Sequence, residues 1–415
     1  MAHPSRLEGD LARFESHWFE DQPARHPRTL VIGMGGASSP AGMLAHLRSS
    51  ETLDVIDTSN PDTISSTDFT GVNVIAASKS GTTIETITTL AWALSHGLSP
   101  RDLTVITDPG THLSQLAESL GAKVFYGDPE CGGRFSALTA FGLVPAIAAG
   151  WDRAALVASS FVDGASPEEI DTWFAEGAHA SMVRDGVGWF ALSSAPRAMT
   201  SMLWLEQLVA ESTGKLGRGV VPVVAAGGET GPSVDSAVRD IFATHVRVAA
   251  MAWALEVDPF NQPDVEMSKR HVYSELKSLT GPEPSTSVSS EEMTTLETAD
   301  YVALQVFGPL DIETQLDAAR ERLEQRFSRV TAGLGPRFLH STGQLHKGGP
   351  AGVGAVQVIV HPRSTPERIS GRGYSFHDLH AAQARGDARA LREAGRTVIT
   401  LGVEQLDELG AIFGV

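Results

Sequence analysis

The chain is poor in cysteine, in basic residues and in long apolar runs. Its one cysteine, Cys131, rules out an intrachain disulfide framework and a cysteine-based metal site. Against 50 acidic residues there are only 32 basic ones, a net charge of -18. A surface that grips nucleic acid needs a basic face, so no nucleic-acid partner is expected, although one small phosphate in a pocket remains compatible. No apolar run approaches the ~20 residues that cross a bilayer. The opening stretch, MAHPSRLEGDLARFESHW, is charged and has no apolar core, so it is not expected to be a secretory signal. A cytoplasmic protein with no membrane partner is the expectation. Walker loops, HExxH pairs and cysteine pairs are missing. GMGGAS at Gly33 lacks the third glycine of a dinucleotide fingerprint. Neither metal nor organic cofactor is expected.

What is there is an alternation of strand and helix over 415 residues, a length that implies more than one domain. TLVIGMG, LDVIDT, VNVIAAS, DLTVITD and KVFYG read as five strands between helical stretches. Continuous apolar strands separated by helices indicate a parallel sheet covered on both faces. The pattern restarts near residue 186, with VGWFALSS, GVVPVVAA, YVALQVFG, AVQVIVH and RTVITLGV as strands. The expected class is α/β with two doubly wound parallel-sheet domains. Their expected bounds are 1–150 and 186–415, joined by a helical connection over 151–185. The Pro/Ser/Thr-rich run 279–295 reads as an exposed loop. The tail from about 373, helix then helix then strand, carries no obvious chemistry.

The third strand ends in SKSGTTIET, a helix start crowded with Ser78, Ser80, Thr82 and Thr83 around Gly81. In an open α/β sheet, ligands bind beyond the carboxyl ends of the strands. A helix N-terminus there offers free N–H groups and the positive end of its dipole. Hydroxyls and a close-approaching glycine would then cradle one phosphate monoester. A plain helix cap is the bland alternative, since Ser and Thr favour that position. One hydroxyl suffices for a cap, however.

SKSGTTIET resembles the sugar-phosphate loop of the phosphoglucose isomerase family, whose domains are of the sugar-isomerase (SIS) type. Four further stretches are similar to that family's segments: GGRFSALTAFGLVPAIA, LEQLVAESTGKLGRGVVPV, VDPFNQPDVEMSK and LHSTGQLHKGGP. The resemblance implies two SIS-type three-layer αβα domains and aldose–ketose isomerisation of a sugar phosphate, with no cofactor. It also implies a homodimer with the active site near the subunit boundary.

Such chemistry needs a base over C1 and C2, an acid/base that opens the ring, and stabilisation of the enediolate. By resemblance Glu211 is the base. It ends an apolar helix against Leu208 and Val209, a setting that suits a carboxylate working near neutrality. Gln207, one turn earlier, shares its face and matches a phosphate-binding glutamine. Arg134, which cannot give up its proton, suits the enediolate charge. Lys269 matches a ring-opening lysine and Gln262 a glutamine before it. His340 matches the ring-opening histidine, since imidazole titrates near neutrality, and His346 is the nearby competitor. Gly35, Gly36, Ser38, Ser78, Lys79, Ser80, Thr82, Thr83 and Gly133 complete the expected substrate contacts. Cys131 reads as a small buried filler.

The pattern departs from the family in three places. The histidine segment follows the lysine segment instead of preceding it. Either the chain order was rearranged around one site, or the histidine crosses a dimer interface, or its resemblance is local. Ala37 stands where a serine is expected, with Ser38 as the substitute. Asn261 and Asp264 replace an aspartate and a glycine. Three functions fit: interconversion of glucose 6-phosphate and fructose 6-phosphate, isomerisation of a related substrate such as mannose 6-phosphate, or a sugar-phosphate-binding regulatory protein without turnover.

Overall fold

The computed structural model describes residues 26–152, 156, 165–180, 188–193, 199–225, 228, 231–233, 236–278 and 283–415. The charged N-terminal stretch, and parts of the 151–185 connection, lie outside them.

The first five strands are β1 (Thr29–Gly33), β2 (Leu53–Ile56), β3 (Asn73–Ala77), β4 (Leu103–Thr107) and β5 (Lys123–Tyr126). They form one parallel sheet in the order β2-β1-β3-β4-β5. Both faces are apolar because successive side chains alternate. Val31, Ile75 and Ile106 join one core cluster, while Leu30, Ile32, Val74 and Val105 join another. This explains the unbroken apolar strands. The order also fixes a switch point, because the chain leaves β1 towards β2 and returns on the other side as β3. The carboxyl ends of β1 and β3 therefore flank a crevice. Gly35 and Gly36 follow β1, and the Ser78–Thr83 loop follows β3.

In the second half, β6 (Gly188–Ser193) and β7 (Val220–Ala225) pair in parallel. β8 (Tyr301–Phe307), β9 (Val330–Gly335), β10 (Val353–Val360) and β11 (Thr397–Val403) form a parallel sheet in the order β11-β10-β8-β9. This second sheet repeats the reversal of direction seen in the first. Val221 of β7, with Tyr301 and Ala303 of β8, shares a buried cluster that joins the pair to the sheet. The chain is thus α/β with parallel sheets throughout its described residues.

Four helices carry the site: α1 (Ile84–Ser95), α2 (Met199–Thr213), α3 (Pro263–Ser278) and α4 (Phe376–Glu393). Leu205, Leu208 and Val209 of α2 pack with Val31 and Ile75 on one face of the first sheet. Val272 of α3 and Phe376, Leu379 and Ala382 of α4 pack with the cluster on the other face. Helix α4, near the C-terminus, thus lies against the first half of the chain. The 279–295 segment is not all loop. A capping box between Ser289 and Glu292 starts a helix, Ser290–Glu297, and the local sequence SSEE carries the signature of that cap.

Candidate active site

The hydroxyls of the loop after β3 are not spent on capping the helix. Thr83 takes the N-cap position of α1 without a side-chain hydrogen bond to the helix. Its hydroxyl instead pairs with that of Ser78 at 2.8 Å, and the hydroxyls of Ser80 and Thr82 pair at 3.0 Å. Gly81 has φ +64°, a left-handed turn that favours glycine. The four hydroxyls are gathered on one loop and none caps the helix. Lys79 behaves otherwise. Its ammonium donates to Asp108 Oδ2 at 2.6 Å and to the Asp128 carbonyl at 2.5 Å. Lys79 thus braces the loop against the ends of β4 and β5.

Glu85 sits in the first turn of α1, where the helix dipole favours a carboxylate. Its Oε1 lies 2.8 Å from His340 Nε2. Burial pushes this carboxyl up, but the charge and hydrogen bond of His340, with a smaller pull from Lys269, bring it below the usual range. Lys269 on α3 is therefore close enough to bias the same carboxylate. His340 ends a short turn, Arg337–His340, just past β9.

The His340 carbonyl accepts a hydrogen bond from Gln207 Nε2 at 2.8 Å. The same Nε2 donates to Glu211 Oε2 at 3.0 Å. Gln207 Oε1 accepts from Ser39 at 2.9 Å. Ser38, the expected substitute for the missing serine, turns its hydroxyl back to the Gly35 carbonyl at 3.4 Å and is fully buried. Ser39 is the hydroxyl that reaches Gln207. Gly35 has φ +53°, and a Cβ there would collide with the His340 carbonyl and fall 3.0 Å from Gln207 Nε2. Glycine is required on both counts. A Cβ on Gly36 would likewise meet the Gly133 carbonyl. The glycine loop after β1 is therefore pressed between the His340 segment and the 132–136 turn.

Glu211 is buried in the last turn of α2. In place of the purely apolar setting expected from its neighbours, Arg134 Nη1 lies 3.0 Å from Glu211 Oε1. The Arg134 guanidinium is fully engaged. It donates to Ser212 Oγ at 3.1 Å, to Gln262 Oε1 at 2.5 Å, and to the carbonyls of Pro259 and Asn261 at 2.6 and 2.7 Å. The substituted residues of this segment have partners too. Asp264 accepts from Gln344 Nε2 at 2.5 Å and its N–H donates to Gln344 Oε1 at 3.1 Å. This reciprocal pair fastens the lysine-bearing helix to the histidine segment.

His346 does not compete with His340. It is buried, with Nδ1 2.9 Å from Gln305 Nε2. Burial first, then Lys347 and Arg396, pushes it down to about 3, so it stays neutral and does not shuttle protons near neutrality. Cys131 is half-buried and is not the buried filler expected.

The site thus brings together Arg134, Gln207, Glu211, Gln262 and His340, with Gly35, Gly36 and Gly133 behind them. It adds Glu85, Ser39, Ser212 and Lys215, which sequence reasoning did not single out. Lys215 Nζ donates to the Ser212 carbonyl at 3.0 Å and to the Asp258 carbonyl. Burial, then the Arg134 charge, pushes its ammonium down to about 7, against the opposite pull of Asp258, Glu211 and Asp264. Among the described residues no cluster of three or more metal-binding side chains occurs. No described helix is long and apolar enough to cross a membrane.

No family model matches the chain. It is similar to curated proteins named glucose-6-phosphate isomerase. One from Symbiobacterium thermophilum is 31% identical over 162 residues, 37% of this chain and 36% of that protein. A probable glucose-6-phosphate isomerase from Haloquadratum walsbyi is 30% identical over 229 residues, 50% of this chain and 52% of that protein. The chain thus spans between about one third and about one half of these relatives' length. A solved structure of a hypothetical protein from Thermus thermophilus superposes with a TM-score of 0.38 at 21% identity, covering 98% of this chain and 78% of that one.

Proposed function

We propose that the protein is an aldose–ketose isomerase that interconverts glucose 6-phosphate and fructose 6-phosphate. The observation that carries this reading is one continuous set of polar contacts. It starts beside the hydroxyl loop at Glu85, passes through His340, Gln207 and Glu211, and ends on Arg134 and Gln262. A phosphate on the Ser78–Thr83 hydroxyls would sit at one end of this set. The carboxylate suited to proton transfer sits at the other.

In this mechanism the phosphate is held at the start of α1 by Ser78, Ser80, Thr82 and Thr83. His340, oriented by the Glu85 carboxylate, exchanges the proton between the ring oxygen and the anomeric hydroxyl, with Lys269 nearby. Glu211 then takes the C2 proton of the open aldose, leaving a cis-enediolate, and returns it to C1 to give the ketose. Arg134 offers fixed positive charge for the enediolate oxygen. The neutral Gln207 donates to Glu211 without competing for its charge.

The binder without turnover has no use for a buried carboxylate held against a guanidinium. Incubation with fructose 6-phosphate in deuterated water separates the two. The isomerase yields glucose 6-phosphate with deuterium at carbon, whereas the binder gives thermal stabilisation by sugar phosphates with no exchange. The same assay with mannose 6-phosphate reads the preference at C2. We carry the homodimer and cytoplasmic location as part of the same reading, supported by the resemblance. His340 meets Gln207 and Glu85 within one chain, so the changed order of the segments needs no histidine from a partner. Sedimentation analysis tests the dimer.

A further inference from the structure

Helix α4, in the tail that showed no obvious chemistry, reaches the site. Gln383 of α4 is fully buried, and its Nε2 lies 2.5 Å from Glu85 Oε1, the oxygen that also faces His340 Nε2. Behind it, the Ser59 hydroxyl contacts Gln383 Oε1, and Ser59 Oγ lies 3.0 Å from His380 Nδ1. Ser59 and His380 are buried as well.

The proton positions in this chain follow from what each group can do. An ionised carboxylate only accepts, so Gln383 must present its NH2 to Glu85 and its carbonyl to Ser59. The Ser59 proton then goes to Gln383 Oε1, and Ser59 Oγ is left to accept from His380 Nδ1–H. Burial pushes His380 down to about 4, against the pull of a backbone hydrogen bond to Phe307, so its ring is neutral. Each link in the chain has one orientation. The amide of Gln383 therefore cannot turn over without breaking two buried hydrogen bonds.

We infer that Gln383 is a positioning residue for ring opening, which holds the Glu85 carboxylate in the orientation that aims His340, with Ser59 and His380 fixing its amide. The inference rests on the isomerase reading for its functional consequence, but not for its geometry. Donation to Glu85 also favours the charged carboxylate. The titratable groups facing Glu85 are His340 on the turn after β9, and Lys269 and Tyr273 on α3.

Gln383→Leu keeps the bulk and removes the donor. Two measurements test it, on protein whose cooperative melting shows it folded. First, the Glu85 carboxyl, followed by carbon-13 NMR, should titrate at higher pH in Gln383→Leu than in the parent. An unmoved titration overturns the inference whether or not the protein is an isomerase. Second, kcat on cyclic fructose 6-phosphate should fall about tenfold with little change in KM, equivalent to about 1.4 kcal/mol of barrier. Deuterium exchange into an open-chain sugar phosphate that cannot close a ring should fall less than about twofold, since that substrate bypasses ring opening. Equal losses on both substrates, or a loss on neither, overturn the positioning role. If the parent protein itself shows no turnover on either substrate, the isomerase reading fails, and the NMR titration alone decides whether Gln383 holds Glu85.

Discussion

Arg134 and Glu211 lie 3.0 Å apart, with only 1% and 6% of their side chains exposed. Two charges taken out of water together are tolerated only with good geometry and further hydrogen bonds. The Arg134 donors supply those bonds, through the Pro259 and Asn261 carbonyls and Gln262 Oε1. The pair ties the turn at 132–136, the end of α2 and the start of α3 into one rigid unit. It also places a fixed cation beside the proposed base.

Removing the cation should therefore cost stability as well as activity. Arg134→Met leaves the Glu211 carboxylate buried without a counter-charge and two carbonyls without donors. A loss of about 3–5 kcal/mol is expected in urea unfolding. A loss below about 1 kcal/mol would show that Glu211 finds water or another partner.

Gly35 tests the packing of the glycine loop. Gly35→Ala forces a Cβ towards the His340 carbonyl at a positive φ, whereas Gly71, with φ +65°, has nothing within 4 Å of the place its Cβ would take. Gly71→Ala should cost only the left-handed backbone term, about 1–2 kcal/mol. Gly35→Ala should cost more and should cut turnover sharply, because the clash pushes His340 away from Gln207. Equal effects on stability and none on turnover would remove the loop from the site.

Lys215 gives a pH signature. Its folded-state value, about 7, lies below the ordinary 10.5. Between these values the unfolded chain holds a proton that the folded chain lacks, so this group makes stability rise with pH. Below about pH 7 both states are protonated and its unfavourable contribution is complete. Denaturation at pH 6.5, 8 and 9.5 should show the parent gaining on Lys215→Met as pH increases. Parallel curves would mean that the ammonium keeps its ordinary affinity for protons.

The strands were legible because the parallel sheets bury both faces and leave unbroken apolar runs, such as VNVIAAS before the hydroxyl loop. Gln207 and Glu211 were legible as a pair because helical spacing puts them on one face. The partners of these residues were not. His340 and Glu85 are 255 positions apart, and Gln383 and Glu85 are 298 apart. No periodicity encodes such contacts, which arise only when the turn after β9 and helix α4 both come to the start of α1. Glu85 itself stands inside the SKSGTTIET motif, and an acidic residue in the first turn of that helix is the one local signal for it. The contact of Lys79 with Asp108 was not legible either, because the two lie 29 positions apart and meet only when β3 and β4 pair.

The most direct test replaces the proposed base and keeps its shape. In Glu211→Gln the amide can still occupy the pocket beside Gln207, so fructose 6-phosphate should bind with little change to protein that a cooperative melt shows folded, although the variant loses stability because Arg134 loses its counter-charge. Deuterium incorporation from solvent into the sugar carbons, seen by proton NMR, should fall by at least about a thousandfold against the parent. Exchange persisting in Glu211→Gln at the parental rate would contradict the account, because some other group would then be moving the proton.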